Sequence, residues 1–239
     1  MVGKFDRVTD QVVEYLDDFF TVDGERSDEI CIEGDARRVK WIGHGMTRGR
    51  VTITGNAGMH LGSQMKGGTI EVSGDAGDWV GAEMSGGSIH VRGSAGGQVG
   101  AAYRGSLSGM RDGIILVDGS AGLEVGMRMK RGIIGIGGRA RDFAGLQMKG
   151  GTIVLAGGAE LRTGAWMNRG TIVCLAAIQL LPTFAYASTY NPTFLRLYAR
   201  HMATLGWTIP IEGGAYERYT GDACVPGKGE ILVWKPGSA

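Results

Sequence analysis

Apolar and polar residues alternate in short stretches that recur along the middle of this chain. Four examples are Thr69–Val72, Ser88–Val91, Thr152–Leu155 and Thr171–Cys174, in which the second and fourth residues are apolar. Alternation with a period of two, together with β-branched residues, is typical of β-strands. Glycines separate these stretches, and each glycine in a helix costs about 1 kcal/mol relative to alanine. The pattern therefore predicts short strands joined by glycine-rich corners.

The strands belong to a repeat of 19 residues. Each copy begins with a glycine, contains a methionine and has another glycine three residues after that methionine. The starting glycines are Gly34, Gly55, Gly74, Gly93, Gly119, Gly138 and Gly157. The methionines are Met46, Met65, Met84, Met110, Met129, Met148 and Met167. A fixed period of this length is typical of a solenoid.

These features predict an all-β protein, a right-handed parallel β-helix (β-solenoid) of about seven 19-residue coils. We expect residues 34–175 to form the β-helix, residues 1–33 an N-terminal cap, and residues 176–239 a C-terminal tail with one helix. Ile70, Val72 and their equivalents are expected to point inward. The methionine column is expected to be flexible apolar filler rather than a ladder of metal or haem ligands.

The two flanks are suited to capping, which a solenoid needs because its terminal strands have open edges. Residues 12–22 predict a helix or strand before the first coil. Residues 191–206 predict a helix with Asn191 as N-cap, Pro192 at the first position and Gly206 as the stop. One face of this helix carries Phe194, Leu195, Tyr198, Met202 and Leu205. We expect that face to dock on the last coil, with another protein of an assembly as the alternative.

The tail contains two further segments of interest. Gly229–Trp234 alternates and predicts a strand. Residues 180–192 predict a loop that carries Phe184, Tyr186 and Tyr190. Aromatic residues are enriched at protein interfaces, so these three are candidate partner contacts, with burial in this chain as the alternative.

Composition narrows the class of protein. The 44 glycines would indicate low complexity in a chain without a period, but here they belong to the repeat. A net charge of +1 argues against a nucleic-acid partner. Cys31, Cys174 and Cys224 lie far apart and indicate free cytosolic thiols. No apolar run is long enough to cross a membrane and the chain starts without a signal-peptide pattern, so a soluble cytoplasmic protein is expected.

No catalytic constellation stands out in the sequence. Four histidines occupy different places in the repeat or the tail: His44, His60, His90 and His201. The chain has no H-x-H, H-E-x-x-H or C-x-x-C motif, so we expect no catalytic residue, cofactor or metal in it. Asp75, Asp78 and Glu83 lie near coil corners, where solvated charges are the simpler interpretation. Paired carboxylates can catalyse acid–base reactions, so a stand-alone β-helical carbohydrate-active enzyme is an alternative.

One coil is interrupted. The coil that starts at Gly93 has 26 residues instead of 19, and the seven extra residues lie between Gly100 and Met110. Insertions in solenoids form loops on one face, which is often the binding face. Tyrosine and arginine are common interface anchors. The candidate partner-interface residues here are Tyr103, Arg104, Leu107, Met110 and Arg111.

Basic side chains recur next to the methionine column. They are Lys66, Arg111, Lys130, Arg131, Lys149 and Arg169. Their shared place in the repeat predicts a basic stripe along one edge of the solenoid. Such a stripe could bind an acidic partner or an anionic ligand, with a solvated face as the alternative.

The repeat G-x-A-G-x-x-[V/L]-G-x-x-M-x-G-G-x-I-x-V resembles the GXGXG domain. That domain occurs at the C-terminal end of the large chain of glutamate synthase and as a separate protein, the GXGXG subunit, in formylmethanofuran dehydrogenase. The lead-in Leu16–Gly24 and the interruption Tyr103–Met110 resemble the dehydrogenase version. The tail Leu181–Tyr198 resembles that of methylotrophic bacteria, in which the homologous assembly is the formyltransferase/hydrolase complex.

The resemblance implies a structural scaffold that is itself non-catalytic. The complex would transfer a formyl group from formyl-tetrahydromethanopterin to methylofuran and hydrolyse it to formate in methylotrophic formaldehyde oxidation. Catalysis would belong to partners, namely a formyltransferase and a metal-containing hydrolase, and a further subunit would complete the assembly. Two alternatives stay open: the GXGXG subunit of an archaeal-type formylmethanofuran dehydrogenase, and a spacer for amidotransferase partners as in glutamate synthase.

Overall fold

The computed structural model describes residues 20–237. Its strands are β1 (Glu29–Ile32), β2 (Arg50–Ile53), β3 (Lys66–Val72), β4 (Ser85–Val91), β5 (Asp112–Val117), β6 (Ile133–Ile136), β7 (Lys149–Leu155), β8 (Arg169–Cys174), β9 (Ala185–Tyr190), β10 (Gly214–Gly221) and β11 (Gly229–Pro236). One helix, α1 (Leu195–Thr204), lies between β9 and β10. Most of the capping segment predicted at 12–22 lies outside the described residues.

Strands β1 to β8 follow one another in a single sheet as parallel neighbours, one per coil. Equivalent residues pair across neighbouring strands, so that Ile70 lies beside Ile89 and Ile89 beside Ile115. The corner alanines form a second parallel ladder from Ala36 to Ala159. Stacking of equivalent residues gives each coil the same inward side chains and makes one continuous core. The prediction of a parallel β-solenoid is confirmed.

The methionine column fills the interior of the solenoid, as predicted. Met110 and Met129 are fully buried, as are the column methionines of the neighbouring coils. Each methyl group lies against a glycine of the next coil: a Cβ on Gly151 would be 2.7 Å from the Met129 Cε, and one on Gly132 would be 2.8 Å from the Met110 Cε. Methionine and glycine therefore recur together because the first fills the space that the second leaves.

The sheet extends past the repeat at both ends. β1 pairs with β2, so the first rung begins at Glu29, before the first repeat glycine. At the other end β11 pairs with β8 in parallel, and β10 and β9 then add two antiparallel strands. The solenoid has about eight turns rather than the seven expected. The strand expected at Gly229–Trp234 is confirmed as β11, whereas the loop expected over residues 180–192 is wrong, because β9 lies within it.

Helix α1 differs from its prediction at its start. Phe194, not Asn191, is the N-cap residue and makes no side-chain capping hydrogen bond. The Asn191 side chain instead donates to the Gly214 carbonyl, 3.0 Å away, at the start of β10. Gly206 follows the helix with φ of +81°, as expected of a helix stop.

The apolar face of α1 packs within this chain, on the outer face of the sheet, where it covers the last coil at β8 and coils before it. Leu195 and Met202 are fully buried in a cluster with Val154 and Val173 of the sheet and with Trp207 just past the helix. This second core lies beside the first, so the C-terminal tail covers one flank of the solenoid. Across residues 20–237, no helix is long and apolar enough to span a membrane.

Candidate partner-binding face

One corner of each coil has an unusual backbone. In the uninterrupted coils φ is positive at three alternate positions, and in the interrupted coil it is positive at the first two, Gln98 and Gly100. The middle position is a glycine, and from Gly43 to Gly145 a side chain there would overlap a buried isoleucine of a following coil. The two outer positions carry ordinary side chains in the left-handed region, which costs about 1–2 kcal/mol each for a non-glycine residue. Hydrogen bonds between coils hold them there: the His60 N–H donates to the Asp78 carbonyl and the Gln64 N–H to the Ala82 carbonyl, both over 2.8 Å.

These two outer positions form two parallel columns of side chains. The first corner column is Trp41, His60, Trp79, Gln98, Glu124, Phe143 and Arg162. The second corner column is Gln64, Glu83, Arg128, Gln147 and Trp166. Because the backbone repeats every coil, the members of each column lie directly over one another and point away from the core.

Neighbours in the first corner column contact one another in pairs. The rings of Trp41 and His60 stack with their centroids 4.0 Å apart and their planes 5° from parallel. The Trp79 ring lies on the other side of His60, 6.3 Å away. Farther along, the Arg162 guanidinium lies 4.0 Å from the centre of the Phe143 ring. The column is therefore a ladder of stacked planar groups that begins with an aromatic cluster.

The insertion of the interrupted coil lies against this corner. We call residues 103–109 the strap. The Tyr103 ring packs beside Trp79, with centroids 4.9 Å apart, and its hydroxyl lies 2.9 Å from the His60 Nδ1. Burial raises the pKa of Tyr103, while burial and then the charge of Lys40 lower the pKa of His60. Both shifts favour the neutral pair, in which the phenol donates to the imidazole nitrogen.

Three further hydrogen bonds hold the strap along its length. The Tyr103 N–H donates to the Glu83 Oε1 over 3.2 Å. The Arg128 Nη1 donates to the Ser106 carbonyl over 2.6 Å, and the Lys149 Nζ donates to the Leu107 carbonyl over 2.7 Å. The residues that form hydrogen bonds with the strap come from four different coils, with His60 in the second and Lys149 in the sixth. The strap thus crosses the corner diagonally and is held at both ends.

The corner also carries much of the exposed apolar surface of the described residues. Leu107, at the strap, is 73% exposed. Trp41 and Trp166 are exposed members of the two corner columns, and Leu123 and Leu161 each precede a member of the first column. We call this surface, with the strap across it, the strap face. Exposed apolar side chains gathered on one side of a protein mark interaction surfaces.

Of the residues that the interruption suggested as partner contacts, the structure places some at the surface and others in the interior. Arg104, Leu107 and Arg111 are exposed, and Tyr103 is half-buried in the aromatic cluster. Met110 is fully buried, because it is the column methionine of its coil. Its side chain therefore does not reach the surface at which a partner would bind.

The aromatic residues of the tail also divide into buried and exposed side chains. Phe184 is buried at the end of the solenoid core, near Gly164. Tyr186 and Tyr190 lie on β9, the last strand of the sheet, and are exposed. The Tyr186 ring meets the Tyr219 ring edge-on, 5.9 Å away. Two of the three therefore lie on an open strand edge.

The corner carboxylates bind backbone rather than one another. The Asp75 Oδ1 accepts from the Ser94 N–H over 2.8 Å, and the Asp78 Oδ1 accepts from the Gly97 N–H over 2.7 Å. Glu83 accepts from the strap and from the Gln64 side chain. Each group links one coil to the next. No group of three or more His, Cys, Asp or Glu side chains in the described part of the chain is arranged to hold a metal ion.

Sequence reasoning missed the aromatic cluster, because the four histidines do not share a column among themselves. His60 does share its repeat position with Trp79, five residues after Gly55 and Gly74 respectively. Comparing all aromatic and imidazole side chains by repeat position is the signal that finds this pair. The contact of Tyr103 with His60 spans 43 residues and has no signal in the sequence.

The stacked coils, the glycine and methionine columns and the corner define a β-solenoid of the GXGXG class. The chain belongs to this family, since the GXGXG motif model matches residues 31–185. Its structure is similar to a chain in the X-ray crystal structure of the formyltransferase/hydrolase complex (FhcABCD) from Methylorubrum extorquens in complex with methylofuran. The two chains share 35% identity with a TM-score of 0.86, covering 95% of this chain and 84% of that chain. No curated protein matches.

Proposed function

We propose that this chain is the scaffold, the protein built from GXGXG repeats, of a formyltransferase/hydrolase complex. The single observation that carries the proposal is the likeness to a chain of that complex at 35% identity over 95% of this chain. In the proposed assembly, partner subunits move a formyl group from formyl-tetrahydromethanopterin to methylofuran and hydrolyse it to formate. The formyltransferase and hydrolase partners would hold these cofactors and the metal, and this chain would hold none.

A structural role agrees with how the polar side chains of the solenoid are used. Asp75, Asp78 and Glu83 each accept a hydrogen bond from the backbone of a later coil. His60 is occupied by the strap tyrosine and by the Trp41 ring. Each of these groups is used in a contact between coils or with the strap, which stabilises the stack. The three cysteines are free, which agrees with a cytoplasmic protein.

The strap face is the proposed docking surface for the catalytic partners. It combines a rigid, hydrogen-bonded insertion with exposed apolar side chains, and interface energy is concentrated in a few such anchors. Arg104 and Leu107 lie at its exposed centre. Tyr186 and Tyr190 on the open edge strand would provide a second contact with the further subunit of the complex.

Co-purification from the native host tests the proposal. The native chain should bring down hydrolase, formyltransferase and further subunits, identified by mass spectrometry. Replacing Arg104→Glu and Leu107→Asp should abolish their recovery, because it places two negative charges on the docking surface. The matched control is Arg196→Glu with Leu197→Asp on α1, where the Leu197 side chain is 69% exposed and is not part of the buried core.

The control variant should recover the partners as well as the native chain does. Isolation of the native chain as a lone monomer would refute the assignment to a complex. Recovery of amidotransferase subunits instead would favour the glutamate synthase type of assembly. Full recovery with the Arg104 and Leu107 variant would show that docking uses a different face.

A further inference from the structure

A row of cationic side chains follows one edge of the solenoid. We call Lys66, Arg111, Lys130, Arg131, Lys149 and Arg169 the cationic edge. Lys66, Arg111, Lys130 and Lys149 each come directly after a column methionine. Each donates its N–H to the methionine carbonyl of the preceding coil over 2.7–2.8 Å. Arg131 and Arg169 lie one residue farther along, Arg131 just before β6 and Arg169 as the first residue of β8, so all six lie within two residues of a column methionine.

The charges on this edge lack carboxylate partners within the described chain. No carboxylate among residues 20–237 forms an ion pair with any member of the cationic edge. Elsewhere on the surface, Arg50 pairs with Glu71 over 2.6 Å and Arg218 with Glu230 over 2.7 Å. Since neighbouring strands are about 4.8 Å apart, three consecutive cations at Arg111, Lys130 and Lys149 repel one another.

A groove opens beside the row. Its volume is about 580 Å³, and it lies between Tyr198 of α1 and the glycines that follow the column methionines. Arg131 lines this groove and belongs to the cationic edge as well. Asp112 also lines it, but its carboxylate is turned to the adjacent Gly113 N–H, 2.8 Å away. The edge therefore borders a concave surface at Arg131, and its cations have no carboxylate partner among residues 20–237.

We propose that the cationic edge is the docking surface for an acidic segment of a partner protein. The row runs from β3 to β8, which is five steps of about 4.8 Å or roughly 24 Å. An extended segment of about seven residues has this length. Its carboxylates would supply the counter-charges that the chain does not supply itself. The edge meets the strap face at Lys149, whose Nζ donates to the Leu107 carbonyl. Lys149 is therefore left unchanged in the variants below, so that this inference is tested apart from the proposed scaffold role.

Binding of a fluorescent peptide of eight aspartates to the full chain tests the inference by anisotropy. The edge variant carries R111Q, K130Q, R131Q and R169Q. The control variant loses the same charge elsewhere and carries R37Q, R50Q, R141Q and R196Q. We expect the edge variant to weaken binding roughly tenfold or more and the control less than about twofold, with native binding weakening as salt is raised.

Three results would overturn the inference. Equal weakening in both variants would show that the peptide senses net charge alone. Absence of binding to the native chain at low salt would show that the row is only solvated. An oligothymidylate of eight phosphates that binds through the same edge, while the peptide does not, would replace the acidic protein with a nucleic acid. Circular dichroism and thermal melting of both variants confirm that each is folded when these results are compared.

Discussion

Removing the Tyr103 side chain should release the strap without unfolding the solenoid. Tyr103→Phe removes one hydrogen bond, to the His60 Nδ1 at 2.9 Å, which contributes about 1 kcal/mol. Tyr103→Ala also removes the ring contacts with Trp79 and His60, at 4.9 and 5.6 Å between centroids. Aromatic pairs contribute about 0.5–1.5 kcal/mol each. The free energy of strap opening should therefore fall by about 1 kcal/mol for the first change and about 2–4 kcal/mol for the second.

Amide hydrogen exchange measures this opening directly. The Ser106 N–H donates to the Tyr103 carbonyl and the Gly109 N–H to the Arg128 carbonyl, both over 2.9 Å. Their exchange should speed up about fivefold in Tyr103→Phe and roughly 30- to 900-fold in Tyr103→Ala, since 1.36 kcal/mol is a factor of ten. Leu107→Ala is the control, and it should leave both rates unchanged because that side chain is exposed.

Two results would contradict this reasoning. Exchange at Ser106 and Gly109 within twofold of the native rate in Tyr103→Ala would show that the aromatic cluster does not hold the strap. Equal opening free energies at Ser106, Gly109 and the amides of β4 would show that the strap and the solenoid open as one unit. Urea denaturation gives the free energy of global unfolding, which should stay well above the free energy of strap opening from exchange if the strap opens by itself.

Three further changes follow from the same contacts. Met129→Ala should lower the free energy of unfolding by about 2–5 kcal/mol in urea denaturation, while Met129→Leu should cost less than about 1.5 kcal/mol. Burial alone would raise the pKa of Asp118, but hydrogen bonds from His90 and Trp207 outweigh burial and lower that pKa. The stability that the Asp118 carboxylate provides should therefore be lost below about pH 4. Asp118→Asn should remove this pH dependence in melting experiments. Burial lowers the pKa of His60, so its protonation below about pH 6.5 should destabilise the closed strap. Amide hydrogen exchange of the strap, corrected for intrinsic rates, should become faster in that range. Unchanged exchange would contradict this prediction.

The repeat alone was enough to predict the solenoid. Its period required one rung per coil, and the apolar positions required Ile70 and its equivalents to point inward. The column methionines and their glycines followed from the same register, because a Cβ on Gly151 would meet the Met129 methyl group. Local pattern and global fold agree in this region, which is why sequence reasoning succeeds there.

The tail was predicted less well because its contacts are not local. Asn191 and Pro192 suit a helix start, yet the Asn191 side chain binds the Gly214 carbonyl and the helix begins three residues later. The segment of β9 has no apolar alternation, and it is a strand because β10 pairs with it. Long-range pairing overrides local preference in both cases.

The break in the repeat explains why the strap is so well integrated. The second corner column has Gln64 bound to Glu83 on one side of the interruption and Arg128 bound to Gln147 on the other. In the interrupted coil the equivalent position is Ala102, which cannot join this column of polar side chains. The strap takes over instead, because its backbone accepts from Arg128 and donates to Glu83.

The ends of the strap lie next to each other, so its removal should restore a regular coil. Ala102 donates to the Met127 carbonyl and Met110 to the Gly100 carbonyl, as their equivalents do in uninterrupted coils. Deleting residues 103–109 leaves a 19-residue repeat with Ala102 next to Met110.

Ala102 must then adopt positive φ, which costs about 1–2 kcal/mol and is relieved by Ala102→Gly, the residue found at this position as Gly45. The deleted chain should keep its free energy of unfolding within about 2 kcal/mol in urea and lose its partners in co-purification, since it lacks Arg104 and Leu107. A deletion of the same length shifted to residues 106–112 removes Met110 and should unfold the solenoid. Partner recovery with the first deletion would mean that the strap braces the corner and that another surface binds the complex.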